Sequence, residues 1–182
     1  MTEDGTWPAI SAYIWDAKYR YRHGDEPVDR TIVDTWRRVA RAAASVEADA
    51  PAWEKRFCDD LLADFRFLPG GRILANAGTE RSCTTMFNCY VMGTVGDSIE
   101  GIFDVVKESA LTQKQGGGVG YDFSTIRPCG SHIEGVDSSA SGPLSFMQVL
   151  DATCRTIMSA GQRRGAQMGV LRCDHPDIED FI

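Results

Sequence analysis

The sequence predicts an α/β fold, in which an N-terminal helical lobe is followed by the first strand–helix units of a parallel sheet or barrel. Three observations carry this. The first third repeats apolar residues at helical spacing. After Pro69-Gly70-Gly71 the texture changes to short apolar runs punctuated by glycines. The later segments then alternate strand and helix three times, the order of parallel strands joined by crossovers.

Between Thr31 and Val46, Ile32, Val33, Trp36, Val39, Ala40 and Ala43 mark one helical face, with Arg37, Arg38 and Arg41 largely on the other and Asp29 as candidate N-cap. A second helix starts near Pro51, a good first-turn residue, with Trp53, Phe57, Leu61, Leu62 and Phe65 as its stripe. Ile73-Leu74-Ala75 is too short to assign. Met86 to Met92 reads as a buried strand that ends in the turn residues Gly93 and Gly96. Asp97 and Glu100 have capping-box spacing and open a helix whose apolar face is Ile99, Ile102, Phe103, Val106, Ala110 and Leu111. Gly116-Gly117-Gly118 stops it, and Val119 to Phe123 suits a second strand.

From Ile126 to Pro143 no periodicity is convincing, and a loop of that length in a folded unit is usually functional. A third helix spans about Ser145 to Ser159, with Phe146, Val149, Leu150, Thr153, Ile157 and Met158 inward and Gly161 as C-cap. Gln162-Arg163-Arg164-Gly165 makes a basic turn, Met168 to Leu171 a third strand, and His175-Pro176-Asp177 opens a last helix. Residues 1–67 therefore form the helical region and residues 68–182 the first part of an incomplete α/β domain.

Composition narrows the function. A chain that is 43% hydrophobic and 25% charged reads as globular. A net charge of -7 argues against whole-chain attraction to nucleic acid or an anionic membrane. No run approaches a membrane span, and the acidic start interrupted by Pro8 is unlike a signal peptide, so a cytoplasmic location is expected. Six cysteines without a CxxC pair favour reduced thiols over disulfides or structural zinc. With three histidines, a histidine-based metal site is not expected either.

The residues with chemical potential are ambiguous one by one. Cys89 has the local spacing of an ordinary core thiol. Gly116-Gly117-Gly118-Val119-Gly120 would let a backbone approach phosphate, yet lacks the Lys and Ser/Thr of a P-loop. Arg127 and Arg164, beside glycine-rich loops, fit either helix-end complementation or anion binding. Asp97 suits a cap or a ribose hydroxyl, and His175 a turn.

Taken together, FRFLPGGRILANAGT, FNCYVMGTVGDSIEGIF, QGGGVGYDFSTIRPCGS and SGPLSFMQVLDATCRTIMSAGQRRGAQMGVLRCDHPDIEDFI resemble, in order, the catalytic chain of adenosylcobalamin-dependent (class II) ribonucleotide reductases. The resemblance runs from about Ile14 to Ile182. It implies a ten-stranded α/β barrel preceded by a helical region. It also implies replacement of a ribose 2′-hydroxyl by hydrogen, initiated by a cobalamin radical and completed by a pair of reducing cysteines. Cys89 matches the first of that pair, and nothing in the family makes Cys83 its partner. Asn88, Gly70 and Gly71 match substrate-binding positions, although Gly70-Gly71-Arg72 stands where relatives carry Ser-Pro-Thr. Asp97, Ser98, Ile99 and Arg127 match the site of an allosteric deoxynucleoside triphosphate. Phe123 to about Gly135 and Ser159 to Gln167 match two specificity loops, the second carrying Arg164.

The expected partners are a ribonucleotide substrate, the deoxynucleoside triphosphate effector, the rest of the barrel, a thioredoxin-like reductant and a second copy of the complete enzyme. Nucleic acid and membrane are not expected. The radical cysteine and most of the cobalamin site belong to later sequence in the family, so the chain alone is expected to be inactive. The alternatives are a non-catalytic nucleotide-binding module that pairs with another chain and, more remotely, an unrelated glycine-rich α/β fragment.

Overall fold

Helix α1 (Ala9–Lys18) begins directly after Pro8, whose fixed φ suits a helix entry. The structure, a computed structural model, describes residues 7–157 and 165–182. These form two compact units, Met1–Asn88 and Cys89–Ile182.

In the first unit, a short ladder of β1 (Arg22–His23) and β2 (Glu26–Pro27) leads into α2 (Ile32–Ala44). Thr31, rather than Asp29, caps α2: its hydroxyl accepts from the Asp34 amide while Asp34 reaches back to the Thr31 amide. Asp29 is buried instead, bonded to Thr35 at 2.7 Å and paired with Arg38 at 2.8 Å. Arg38 thus turns inward, against the expectation that it shares the solvent face.

Helix α3 (Ala50–Arg56) continues into a π-helical turn over Phe57–Leu62 and a 3-10 turn over Ala63–Phe65. The wider π turn shifts the helical phase, so Cys58 and Leu62 face the core while Leu61, predicted inward, is exposed. Trp36, Val39, Ala40, Cys58, Leu62, Leu74 and Ala77 make the core of this unit. Helix α4 (Gly71–Asn76) resolves the ambiguous Ile73-Leu74-Ala75 stretch.

The second unit is built on three parallel strands, β3 (Cys89–Thr94), β4 (Gly118–Asp122) and, later in the chain, Gln167–Val170, which lies against β4. Helix α5 (Ile99–Lys114) makes the crossover from β3 to β4. The long loop after β4 holds a small antiparallel ladder, β5 (His132–Ile133) with β6 (Ser138–Ser139). Helix α6 (Gly142–Thr156) crosses back to the third strand, β7, and α7 (Ile178–Phe181) closes the described chain. The parallel sheet expected from the element order is therefore present.

Register assigns the two faces of the sheet. Tyr90, Met92, Val119 and Tyr121 turn toward the helices and join Ile102, Phe123 and Leu150 in one core. Cys89, Val91, Gly118, Gly120, Met168 and Val170 share the other face. Among the described residues of this unit no helix covers it: Val91 is 93% exposed and Met168 63%.

Helix α5 departs from its predicted face. Ile102, Ser109 and Gln113 are buried, with Val105 and Val106 packed on the same core, while Ile99, Phe103 and Leu111 are exposed. The helix thus carries two apolar stripes, and β4 and α6 pack on only one.

Candidate functional site

Strand β3 carries candidate residues at both ends. Cys89 is its first residue, on the uncovered face and exposed to solvent, so the expectation of a fully buried strand fails here. Its lateral partner on β4 is Gly118, and Val91 pairs with Gly120. Neither position carries a side chain beside the thiol, although Gly118 itself is buried and Gly120 half-buried. On the opposite face Tyr90 depends on glycine too, since a Cβ at Gly117 would lie 2.6 Å from its ring.

Beyond the far end of β3, Val95 is buried, its amide bonded to the Asp122 carbonyl and its carbonyl to the Thr125 hydroxyl. These bonds bring the loops after β3 and β4 together. Asp97 follows two residues on, but it does not cap α5: Ser98 does, accepting from the Gly101 amide at 3.0 Å. Relieved of that role, the Asp97 carboxylate takes Arg127. The Arg127 Nε–H donates to Oδ2 at 2.8 Å and its backbone amide donates to Oδ1 at 3.2 Å. Side-chain exposures of 40% for Arg127 and 33% for Asp97 leave the pair open to solvent. In parallel α/β sheets, ligands bind beyond the carboxyl ends of strands, where this pair sits.

The Asp122 carboxyl, at the end of β4, is held below the usual carboxylate range by the hydroxyl and amide of Ser124. Ser124 Oγ in turn accepts from the Arg172 amide at 3.0 Å and ties the chain after β7 to the same edge.

The structure therefore brings Asp97, Ser98, Ile99 and Arg127 together and leaves Cys89 at the other end of the strand, roughly 20 Å of extended chain away. Arg164 and most of the predicted second specificity loop lie outside the described residues. In the first unit, Gly70 is the N-cap of α4 without side-chain help, and Gly71 is the first residue of its first turn. A Cβ on Gly70 would lie 3.2 Å from Asn88 Nδ2, so these two predicted substrate residues are neighbours.

Of two further buried polar residues, His175 is read from the sequence only as a turn residue and Gln113 is not singled out. His175 is buried and bonded on both ring nitrogens. Gln113 is fully buried, with neither carboxamide atom hydrogen-bonded among the described residues, and it sits beside Tyr121, whose phenol burial pushes up. A polar residue in the buried Val106–Ser109–Gln113 stripe was the available signal for the second.

Comparison with known proteins fits this architecture. The family profile described as "Ribonucleotide reductase, barrel domain" matches residues 87–182, more than half of the chain. The chain belongs to the ribonucleotide reductase family. The profile "Ribonucleotide reductase, all-alpha domain" matches residues 8–82 of the same chain, so this ribonucleotide reductase segment joins an all-alpha domain to the start of a barrel domain.

Among its relatives, the vitamin B12-dependent ribonucleoside-diphosphate reductase of Thermoplasma acidophilum is 43% identical over 124 residues, 68% of this chain and 16% of that protein. The reductase of the same name from Mycobacterium tuberculosis (strain CDC 1551 / Oshkosh) is 37% identical over 150 residues, 80% of this chain and 21% of that protein. The chain thus spans 16% and 21% of the length of these two curated relatives. The Actinobacillus ureae class Id ribonucleotide reductase alpha subunit shares the fold with a TM-score of 0.70 at 22% identity, covering 96% of this chain and 29% of that one.

Proposed function

We propose that this chain is part of a cobalamin-dependent ribonucleotide reductase that makes 2′-deoxyribonucleotides for DNA synthesis. The observation that carries the reading is Cys89, exposed on the uncovered face of a reductase-family sheet beside the side-chain-free Gly118 and Gly120. In the overall reaction the ribose loses its 2′-oxygen as water. Two thiols, Cys89 and one on sequence outside this segment, supply two electrons and two protons and become a disulfide.

Gly70, Gly71 and Asn88 are proposed to hold the substrate, and an uncapped glycine helix start suits its phosphates. Asp97, Ser98, Ile99, Arg127 and Arg164 are proposed to hold a deoxynucleoside triphosphate effector, the carboxylate taking the sugar and the guanidinium the phosphates. The exposed Ile99, Phe103 and Leu111 stripe of α5 is proposed as subunit-interface surface in the dimeric enzyme. In functional terms residues 1–67 are the helical region, and residues 68–182 hold the phosphate loop and effector loops of an incomplete ten-stranded barrel.

The described residues do not themselves form a corrinoid site. The cavity of about 540 Å³ in the first unit is walled largely by indole and aliphatic groups, including Trp7, Trp15, Trp36 and Leu74, and is too small for a corrin with its nucleotide tail. The corrinoid seat is proposed to lie in sequence outside these residues.

Cys89→Ser in the assembled reductase is expected to abolish deoxynucleotide formation while effector binding persists. Full activity of that variant would reject the catalytic reading and favour a nucleotide-binding module, for which the Asp97–Arg127 pair alone would suffice. Turnover by the purified chain with adenosylcobalamin and a dithiol would reject the expectation that it is inactive by itself.

A further inference from the structure

Arg127 is fixed more thoroughly than an exposed ion pair requires. Its own amide is bonded to Asp97. The carbonyl just before it, that of Ile126, lies 2.9 Å from the Nε2 of His175. A carbonyl can only accept, so Nε2 carries the proton. Nδ1 is then the acceptor for the Asp177 amide, at 3.1 Å, which fixes the tautomer. On the other side of Arg127, Pro128 has no amide hydrogen and a restricted φ. The next amide, that of Cys129, donates to Asp177 Oδ2 at 2.9 Å. The start of α6 closes over this contact: Gly142 has φ +75, and a Cβ there would lie 2.7 Å from Asp177 Oδ2 and 2.9 Å from the Cys129 amide.

We infer that His175 and Asp177 are positioning residues for Arg127, bracketing the Arg127-Pro128 dipeptide from both sides so that its guanidinium is preorganised for a phosphorylated ligand. His175 is 7% exposed and works by hydrogen bonding to the backbone, not by touching the ligand. The inference rests on the proposed effector site, and it adds the chain after β7 to the parts that shape that site. Through it, movement of the segment following the third strand would be felt at the anion-binding side chain.

The test is calorimetric titration of the intact protein with a deoxynucleoside triphosphate. His175→Phe removes both ring hydrogen bonds and is expected to weaken binding about tenfold, the loss typical of one well-placed hydrogen bond. His175→Gln keeps a donor near Nε2 and is expected to stay within about twofold of wild type, by the same measure. In an Arg127→Ala background, His175→Phe is expected to cause no further loss, because its effect passes through the arginine. A full additional loss there would show general damage to the site and overturn the inference. Unchanged binding by His175→Phe alone would overturn it while leaving the effector reading intact. No binding by the wild-type protein would overturn the effector reading itself and this inference with it.

Discussion

Asp29 and Arg38 meet with side-chain exposures of 3% and 8%, and the arginine also bonds the carbonyls of Leu74 and Ala77. Removing one member leaves the other charge buried and unpaired, so Asp29→Ala is expected to destabilise the first unit by about 3–5 kcal/mol in denaturant titration. Asp34 behaves differently because it is partly exposed. The Thr31 amide and hydroxyl hold its carboxyl below the ordinary value. A depressed folded value contributes stability above the unfolded value and loses it as pH falls through the folded one, so the Asp34 contribution fades below about pH 4. Thermal melts across that range should show a shallower pH dependence for Asp34→Ala. Sequence reading assigned a cap to Asp29 and to Asp97 because both are good cap formers just ahead of a helix. In each case a nearby residue that is also a cap former, Thr31 or Ser98, takes the helix end. The aspartate instead answers an arginine, and Arg127 lies thirty residues further on. Which of two adjacent cap formers is used depends on that distant partner, and no local pattern contains it.

At the scale of elements, strands and helices were largely legible because their periods are local. The parallel order followed from alternation alone. What was not legible is phase. One π-helical turn rotates everything after Phe57, and α5 has two apolar stripes of which packing selects one. The glycines at the entry to β4 were readable as a turn but not as a packing requirement. Gly117→Ala would drive a methyl into the Tyr90 ring, so a destabilisation of about 1–3 kcal/mol is expected, the usual cost of overpacking. Because Tyr90 adjoins Cys89, the same variant should change the rate at which a thiol reagent modifies Cys89. An unaltered rate would separate the thiol from that packing.

For the molecule as a whole, the uncovered sheet face dominates. Val91, Met168 and Val170 expose apolar surface between strands whose outer edges, on β3 and β7, have no strand partner among the described residues. Such a face and such edges favour association. The isolated chain is expected to self-associate at micromolar concentration in sedimentation velocity, and Val91→Lys with Met168→Lys to reduce this without altering far-ultraviolet circular dichroism. No helix among the described residues is long and apolar enough to cross a membrane. The candidate site was legible at this scale only through the ordered resemblance, since its motifs are scattered along the chain and Asp97 and Arg127 meet only once the strands are paired.

The parallel pairing of β4 with β7 also sets a timetable. Val119 pairs with Gln167, so the strand must wait for an entire loop and helix before its second neighbour exists. The helical unit, with mostly short-range contacts along α2, α3 and the π turn, can assemble as soon as it is made. During synthesis the sheet would spend seconds as a half-paired ribbon, with the Cys89 thiol open to exchange with a foreign disulfide. A nascent chain halted shortly after Asp122 would hold β3 and β4 without the strand that completes the described sheet.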